Sequence, residues 1–259
     1  MTDDSRPKAG PIGWRDRGLD GWMNSQTGEL TRGLPVTAAD TVIDVGCGDG
    51  VFIHFCARQG AEVIYIDRSE AALAKTSAKI AGSAARAHHG ILSECDPIPL
   101  ADGAGDLVIC TEVLEHVPDP GAFLAELVRV ARPGGRLLLT VPDARSEQLV
   151  AATAPPQYFE EPNHIRTFSA DAFRNLVETA GLVVENQRFV GCFESIYWPL
   201  AWLTCEPDSG LPLDNPHPIP DHWTRLWHEL QRHPQGHRIR DALNQLLPKS
   251  QSIVARKPG

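Results

Sequence analysis

The sequence TVIDVGCGDG at residues 41–50 decides the fold of this chain. Its β-branched apolar run is typical of a buried strand. The glycines at every second position after the run allow the backbone to turn tightly and to approach a ligand closely. Because residues 51–58 can start a helix, strand, glycine turn and helix follow one another in the order of a nucleotide-binding site.

The details of this turn argue against a dinucleotide. The third glycine of a G-x-G-x-x-G pattern would be residue 51, which is Val51. Asp44 and Asp49 place two carboxylates where a pyrophosphate needs backbone amides and no negative charge. A ligand with a cationic group suits the loop better, and S-adenosylmethionine carries both an ammonium and a sulfonium group.

The segment DVGCGDG at residues 44–50 resembles the first motif of class I S-adenosylmethionine-dependent methyltransferases. Further segments match the family in the right order, over about residues 38–190 and the last strand. The chain is similar to the small-molecule type, like the methyltransferases of ubiquinone and menaquinone biosynthesis. The resemblance implies S-adenosyl-L-methionine as cofactor and S-adenosyl-L-homocysteine as its product.

Strand patterns alternate with helix patterns along the chain, which predicts an α/β fold with helices on both faces of a parallel sheet. The resemblance implies a Rossmann-like, doubly wound, mostly parallel sheet of seven strands, with an antiparallel last strand and a helical lid insertion. We expect four segments: an N-terminal tail and cap at 1–40, the cofactor-binding core at 41–190, an acceptor-binding lid at 191–248 and the last core strand at 249–259. Within the first, residues 1–13 are expected to be a flexible tail.

Composition restricts the partners. The chain has 24 Lys and Arg against 33 Asp and Glu, a net charge of −9, without a basic run, so we expect a small-molecule acceptor and no nucleic acid. The six cysteines form no C-x-x-C pair and are expected to be buried thiols, with neither disulfides nor a metal site. Residues 1–10 lack an apolar signal region, and residues 191–203 are too short and interrupted to span a bilayer. These features predict a cytoplasmic protein.

The residues expected to bind the cofactor follow the ends of strands. Asp67 lies 19 residues after Gly48, where an acid accepts hydrogen bonds from ribose hydroxyls in Rossmann-like sites. The alternative for Asp67 is a surface acid at a strand end, and the neighbouring Arg68 is either a nucleoside contact or an exposed ion-pair partner. The cofactor-binding set implied by the resemblance is Asp44, Gly46, Cys47, Gly48, Gly50, Asp67, Arg68, Glu94, Cys95, Thr111 and Glu112.

At two of these positions, Glu94 and Cys95, the sequence departs from the family pattern. Similar enzymes place a short acidic segment before a Leu-Pro-Phe-like turn, and its acid and backbone contact the adenine amino group. Here the turn is Ile-Pro-Leu at residues 98–100, preceded by Glu94 and Cys95. Glu94 stands for the usual aspartate, with Asp96 as its competitor.

The segment TEVLEHV at residues 111–117 resembles the family sequence after the fourth strand. The resemblance places Thr111 and Glu112 beside the methionine part of the cofactor. His116 has two interpretations, a general base or a histidine that orders the loop. The second is favoured, because the family has this histidine with unrelated acceptors.

The segment PNHIRTFS at residues 162–169 is similar to a His-x-Arg-x-Phe/Tyr-Ser/Thr segment on the acceptor side of related small-molecule enzymes. His164 is the leading candidate for a catalytic base or an acceptor contact, and Asp143 is a weaker one. The alternative is that His164 and Arg166 only pin a lid loop by hydrogen bonds. The acceptor-binding candidates are Tyr158, Arg166, Tyr197, Trp198 and Trp202.

The aromatic residues of 191–248 are open to several interpretations. Aromatic walls with a few polar groups suit an organic acceptor of drug-like size. They equally suit a homodimer interface or a peripheral membrane contact for a lipid-like acceptor. A further alternative is a satellite core that holds the insertion together.

The sequence therefore predicts a methyltransferase acting on an O or N atom of a small organic acceptor, such as a metabolite, a sugar or a quinone-like ring. One alternative is methylation of a protein, at a lysine or an N-terminal amine. Another is a non-catalytic subunit that binds S-adenosylmethionine and acts through a partner. A short-chain dehydrogenase is opposed by Val51, by the two loop acids and by the missing Tyr-x-x-x-Lys pair.

Overall fold

The structure, a computed structural model, describes residues 8–205 and 217–259. Residues 1–7 of the predicted tail and residues 206–216 of the predicted insertion lie outside the described residues. Within this part, the strands are β1 (Glu29–Thr31), β2 (Leu34–Pro35), β3 (Thr41–Val45), β4 (Glu62–Asp67), β5 (Ala87–Leu92), β6 (Gly105–Thr111), β7 (Ala131–Pro142), β8 (Val183–Val190) and β9 (Ser250–Arg256).

The helices of the same part are α1 (Ala9–Leu19), α2 (Val51–Arg58), α3 (Glu70–Ile80), α4 (Pro120–Val130), α5 (Ala144–Val150), α6 (Ala170–Thr179), α7 (Cys192–Leu203), α8 (Pro218–Arg232) and α9 (Gly236–Leu246), with a 3₁₀ turn at Pro156–Phe159. Side chains cap the starts of some of them, including α3 and α4. The Ser69 hydroxyl accepts a hydrogen bond from the Ala72 N–H at 3.2 Å, and the Asp119 carboxylate accepts from Gly121 and Ala122 ahead of α4.

The central sheet has seven strands in the order β5-β4-β3-β6-β7-β9-β8. Strand β3 pairs in parallel with β4 and β6, and the pairs β4–β5 and β6–β7 are also parallel. This Rossmann-like sheet, with an antiparallel strand near its end, confirms the predicted fold class. The order reverses between β3 and β6, and ligands of such sheets bind at the carboxyl ends of strands at a reversal of this kind.

The chain divides into two compact units. The sheet unit comprises residues 21–141, 170–188 and 252–259, and the helical unit comprises the described residues up to Asp20 together with 142–169 and 189–251. The core of the sheet unit forms around β3, whose Val42, Ile43 and Val45 are fully buried. Because all of β3 except its first residue is buried, its sequence is a continuous apolar run interrupted only by Asp44.

Aromatic side chains form the core of the helical unit. The ring of Phe193 stacks on Trp223 at 6.3 Å between centroids, and Trp223 lies 5.3 Å from the fully buried Trp227. The indole N–H of Trp227 donates to Asp16 at 3.2 Å, which fixes α8 to α1. The satellite core predicted for the insertion is therefore present.

The N-terminal segment differs from the predicted tail and cap in two ways. Helix α1 begins at Ala9, so residues 9–13 are helical rather than a flexible tail. The two tryptophans of the predicted cap also separate. Trp22 is buried against Phe52 in the sheet unit at 5.5 Å between rings, whereas Trp14 is 43% exposed beneath the guanidinium of Arg17.

The Pro-Gly-Gly sequence at residues 133–135 lies inside β7. The pairing of β6 with β7 shifts register between Gly105 and Leu107, and Gly134 adopts φ +73°, so the strand continues through an irregularity. All six cysteines lie in the described part and form no disulfide there, and five of them are buried. No helix in the described ranges combines the length and the apolar character needed to cross a membrane.

Candidate functional site

The glycine loop after β3 needs glycine for two different reasons. Gly46, Gly48 and Gly50 have φ values of +75°, +52° and +71°, in the left-handed region. A Cβ atom at Gly46 would lie 2.5 Å from the Val113 side chain, and one at Gly50 would lie 2.5 Å from the Thr76 hydroxyl. At Gly48 a Cβ would meet no atom within 4 Å. Gly46 and Gly50 therefore allow close packing of the loop, while Gly48 borders open space in which a ligand could approach the backbone.

Backbone hydrogen bonds hold the loop against β4. The N–H groups of Gly46 and Cys47 both donate to the Ile66 carbonyl, at 2.8 and 3.1 Å. On the other side of the loop, the Lys79 ammonium donates to the Asp49 carbonyl at 2.5 Å. The loop is thus fixed before any ligand arrives, which reduces the ordering cost of binding.

Asp67, at the end of β4, contacts this loop directly. Its Oδ2 accepts from the Gly48 N–H at 2.9 Å and its Oδ1 accepts from the Ser69 N–H at 2.9 Å. A carboxylate offers about four lone-pair positions. Acceptor positions therefore remain for hydroxyl groups of a ribose. This geometry suits the predicted role of Asp67 in ribose binding, which stays a prediction.

Asp44 supplies a buried carboxyl group beneath the loop. Its side chain is 1% exposed, and its Oδ1 has no hydrogen-bond partner among the described residues. Burial, together with the charges of Asp67 and Asp49, raises the pKa of Asp44 to about 8. A cationic ligand would stabilise the ionised form of such a carboxyl group. The orphaned oxygen and the open space at Gly48 both fit the cationic cofactor expected from the sequence.

The two predicted cofactor-site cysteines are unreactive. Burial, followed by the charge of Asp44, raises the pKa of the Cys47 thiol to about 12. Burial likewise raises the pKa of Cys95 to about 11. Since the thiolate is the nucleophilic form, the raised pKa values do not favour covalent chemistry at these two positions.

The segment after β6 holds a backbone conformation that is uncommon for a glutamate. Glu112 has φ +55°, and its N–H donates to the Thr140 carbonyl at 3.0 Å. The Thr140 hydroxyl donates to Glu112 Oε1 at 2.8 Å, so the neighbouring strand β7 holds this residue. Such strained positions concentrate at functional sites. Thr111 ends β6 and Glu112 follows it, and both half-buried residues lie at the reversal of strand order.

His116 lies on the short turn that follows. Its N–H donates to the Val113 carbonyl at 2.9 Å, and its Nε2 is 3.7 Å from the fully buried carboxylate of Glu115. The side chain is one-third exposed. Both interpretations of His116, as a base and as an ordering residue, stay predictions.

The predicted adenine segment is held by two residues that the sequence did not single out. The guanidinium of Arg129 donates to the carbonyls of Ile98 and Leu100, each at 2.8 Å. Glu126 accepts from the Ile98 N–H at 2.9 Å and also pairs with Arg129. Glu126 and Arg129 lie on α4, and their i, i+3 spacing was the available signal. Glu94, Asp96 and Arg68 are exposed.

In the helical unit, three side chains meet around one buried carboxylate. The His164 Nδ1 lies 2.7 Å from Glu147 Oε2, and Glu147 is 1% exposed. The Tyr158 hydroxyl donates to Glu147 Oε1 at 3.5 Å, and the Lys249 ammonium lies 3.8 Å from the same atom. We call these four residues the Glu147 cluster. It unites two predicted residues, His164 and Tyr158, with Glu147 and Lys249, which no sequence motif indicates.

The other candidates of this unit have defined surroundings. Asp143 caps α5 and accepts from the N–H and Nε of Arg145, at 3.0 and 2.8 Å, and these bonds raise the pKa of the Arg145 guanidinium. Trp202 lies 6.4 Å from the Tyr158 ring, and Arg166 is half-buried. Tyr197 is 5% exposed, stacks on Phe193 at 5.6 Å and contacts the Trp198 ring at 5.7 Å.

The part of the chain that matches known proteins belongs mostly to the sheet unit. A family model described as "Methyltransferase domain" matches residues 22–187, more than half of the chain. A protein named Ubiquinone biosynthesis O-methyltransferase, from Thiobacillus denitrificans, is 33% identical over 121 residues. The alignment covers 47% of this chain and 52% of that relative. The chain spans about half the length of the first curated relatives it matches.

Solved structures share the fold at low sequence identity. A geranyl diphosphate methyltransferase in complex with GPP and sinefungin has a TM-score of 0.56 and 16% identity, covering 86% of this chain and 74% of its own. The [4+2]-cyclase SpnF has a TM-score of 0.55 and 18% identity, covering 96% and 92%. At these identities the likeness shows the fold alone, and the two activities illustrate that one fold hosts different reactions.

Proposed function

Because the chain belongs to the class I S-adenosylmethionine-dependent methyltransferase family, we propose that it transfers a methyl group to an O or N atom of a small organic acceptor. The observation that carries the proposal is the fixed glycine loop with the buried, partly unpartnered carboxylate of Asp44 beneath it. Family membership implies S-adenosylmethionine as the cofactor, and a cationic ligand suits that loop.

Residues of the sheet unit would hold the cofactor. Asp67 would accept hydrogen bonds from the ribose, and Glu94 and Cys95 would contact the adenine. Thr111 and Glu112 would contact the methionine part. When bound, the cofactor supplies a methyl group on a positively charged sulfur, so the protein has mainly to align the acceptor and exclude water.

Residues of the helical unit would serve the acceptor. The name of the Thiobacillus denitrificans relative states O-methylation, which favours a hydroxyl as the acceptor group here. A hydroxyl requires a base, and we propose His164 for that role, with His116 as the second candidate. Tyr158 and Trp202, whose rings are 6.4 Å apart, and Arg166, Tyr197 and Trp198 would line the acceptor's binding surface.

Calorimetry tests the cofactor. The purified chain should bind S-adenosylmethionine and S-adenosylhomocysteine and should not bind NAD. Binding of NAD alone would contradict the proposal and favour the dehydrogenase alternative.

Transfer is tested by mass spectrometry, with a deuterated methyl donor and three probes: a catechol, an aliphatic amine and a lysine-containing peptide. Labelling of the catechol or the small amine supports the proposal. Labelling of the peptide alone would support the protein-methylation alternative. Cofactor binding without labelling of any probe would favour the non-catalytic subunit.

A further inference from the structure

A cavity of about 380 Å³ lies next to the glycine loop, within the sheet unit. Its volume is at the lower end of the range of about 300–1,000 Å³ that is typical of small-molecule sites. Three apolar and three basic side chains account for most of its lining: Met23, Val51, Phe55, His54, Arg58 and Lys79. None of them belongs to the predicted cofactor-binding set, so the cavity is a separate candidate site.

The basic side chains of this cavity come from two helices. His54 and Arg58 lie one turn apart on α2, and Lys79 lies in the last turn of α3. Burial, followed by the charges of Arg58 and Lys79, lowers the pKa of His54, which agrees with the closeness of the three groups. The chain as a whole has a net charge of −9, so this concentration of positive charge is local.

The acidic partners of these groups compensate little of their charge. Asp49 Oδ2 lies 3.5 Å from the Lys79 ammonium, but the Asp49 side chain is 68% exposed. An ion pair as exposed as this one is weak. Arg58 is exposed and forms no ion pair with any residue of 8–205 or 217–259. Two permanent positive charges therefore remain available to a ligand.

The lining indicates the chemical class of that ligand. The fork of the Arg58 guanidinium matches two oxygens of a phosphate, and an ammonium adds up to three donors. A phosphate monoester carries about 1.5–2 negative charges at pH 7, which matches the charges of Arg58 and Lys79. The buried Phe55 and the half-buried Met23 and Val51 offer an apolar wall to a carbon skeleton. Together these features select a phosphate that carries an organic group.

Lys79 connects the cavity with the glycine loop. Its ammonium donates to the Asp49 carbonyl at 2.5 Å, so its positive charge lies against the loop. Because an ammonium has three donors, Lys79 can keep this bond while it binds a phosphate. Its charge opposes a cationic cofactor at the loop, and a bound anion offsets that charge.

We propose that this cavity binds a small organic phosphate through Arg58 and Lys79, and that the bound anion strengthens binding of the cofactor at the glycine loop. The phosphate site is independent of the proposed function. The effect on the cofactor rests on it, because it requires S-adenosylmethionine to bind.

Calorimetry on the protein without cofactor tests the site with three probes: phenyl phosphate, inorganic phosphate and phenol. Phenyl phosphate should bind most tightly, inorganic phosphate more weakly and phenol weakest. No binding of phenyl phosphate at millimolar concentration would overturn the proposal, and so would equally tight binding of phenol. Tighter binding of inorganic phosphate would show a free-anion site and contradict the organic group.

Two variants of equal charge locate the site. R58Q should weaken binding of phenyl phosphate by about 10-fold, the scale of hydrogen bonds between charged groups. The matched control is K75Q, because Lys75 is an exposed lysine one turn before Lys79 on α3 and does not line the cavity. K75Q should change the affinity by less than about twofold, as expected of a screened surface charge. An unchanged affinity in R58Q, or an equal loss in K75Q, would overturn the assignment.

NMR of the histidine side chains places the ligand in the wild-type protein, with H54Q identifying the resonances of His54. Phenyl phosphate should shift these resonances and raise the pKa of His54, because a neighbouring anion stabilises the imidazolium. Binding that leaves His54 unchanged would place the ligand elsewhere and overturn the proposal.

The effect on the cofactor is measured by titrating S-adenosylmethionine with and without saturating phenyl phosphate. The affinity should rise by about two- to fivefold at low salt, the scale of interactions between exposed charges, and by less in R58Q. An unchanged or lower affinity would overturn this effect and leave the phosphate site standing. If S-adenosylmethionine does not bind at all, the proposed function fails, and the phosphate titrations still decide the site.

Discussion

The carboxylate of Asp67 accepts a hydrogen bond from the backbone N–H of Gly48 at 2.9 Å, so the end of β4 is tied to the middle of the glycine loop. The other oxygen of Asp67 is held by the Ser69 N–H at the start of α3. One acid thus orders three consecutive parts of the predicted cofactor site: the loop, the strand end and the helix start.

Replacing Asp67 with alanine should weaken binding of S-adenosylmethionine by about 10-fold or more, since hydrogen bonds to a charged group contribute about 1.5–3 kcal/mol each. Titration calorimetry measures the change. D171N is the matched control, because Asp171 is an exposed acid of α6 in the same unit. Equal affinities of D67A and the wild type would remove the ribose assignment.

Two glycines of the loop should respond differently to alanine. G46A should lower the free energy of unfolding by about 1–3 kcal/mol, because its φ of +75° is strained for alanine and its Cβ would clash with Val113. G48A should cost less stability, because its Cβ meets no protein atom, yet it should weaken cofactor binding. Urea denaturation and calorimetry on both variants check the contrast, and a reversed order would contradict it.

Asp44 should make the stability of the ligand-free protein depend on pH. Burial and the neighbouring charges raise its folded pKa from 3.8 to about 8, so the folded state binds the proton more tightly than the unfolded chain. Its contribution is complete below pH 3.8 and is lost as the pH rises through about 8.

Urea denaturation at pH 5.5 and pH 8.5 tests this effect. The free energy of unfolding of the wild type should fall relative to that of D44N, by about 1.4 kcal/mol for each pH unit within the window. In D49N the fall should be smaller than in the wild type, because the charge of Asp49 contributes to the raised pKa of Asp44. A difference between wild type and D44N that does not change with pH would contradict the assignment.

The conformation of the turn at residues 98–100 should depend on the hydrogen bonds of Arg129. R129K keeps the charge but cannot form the same set of parallel hydrogen bonds to Ile98, Leu100 and Glu126. We expect a loss of about 1–3 kcal/mol in the free energy of unfolding and weaker cofactor binding. R174A, which removes an exposed pair with Glu178, should change stability by less than about 1 kcal/mol.

The sequence predicted the first half of the sheet closely, because its strands are buried apolar runs. Strand β3 lies in the apolar run before the glycines, and β4 ends at Asp67. The glycine loop was predictable for a related reason, since its chemistry lies within ten consecutive residues. The start of α1 was missed because Gly10, Pro11 and Gly13 argue locally against a helix, while contacts such as Trp227 with Asp16 stabilise it from a distance.

The Glu147 cluster shows the limit of sequence patterns most clearly. Its members come from α5, the 3₁₀ turn, the following loop and the residue before β9, so their association depends on the completed fold. His164 and Tyr158 were predicted through a family resemblance. Glu147 belongs to no motif of the sequence, and only its burial distinguishes it.

The position of β9 constrains the order in which the protein can be assembled. The strand enters the sheet between β7 and β8, and its Ile253 and Ala255 are fully buried. During synthesis, β7 and β8 leave the ribosome well before their shared neighbour. The edges of those two strands that face β9 keep unpaired backbone N–H and C=O groups until residues 250–256 have been synthesised. Exposed edges of this kind favour aggregation and chaperone binding. Completion of the sheet is therefore expected to follow, rather than accompany, translation of the cofactor-binding part.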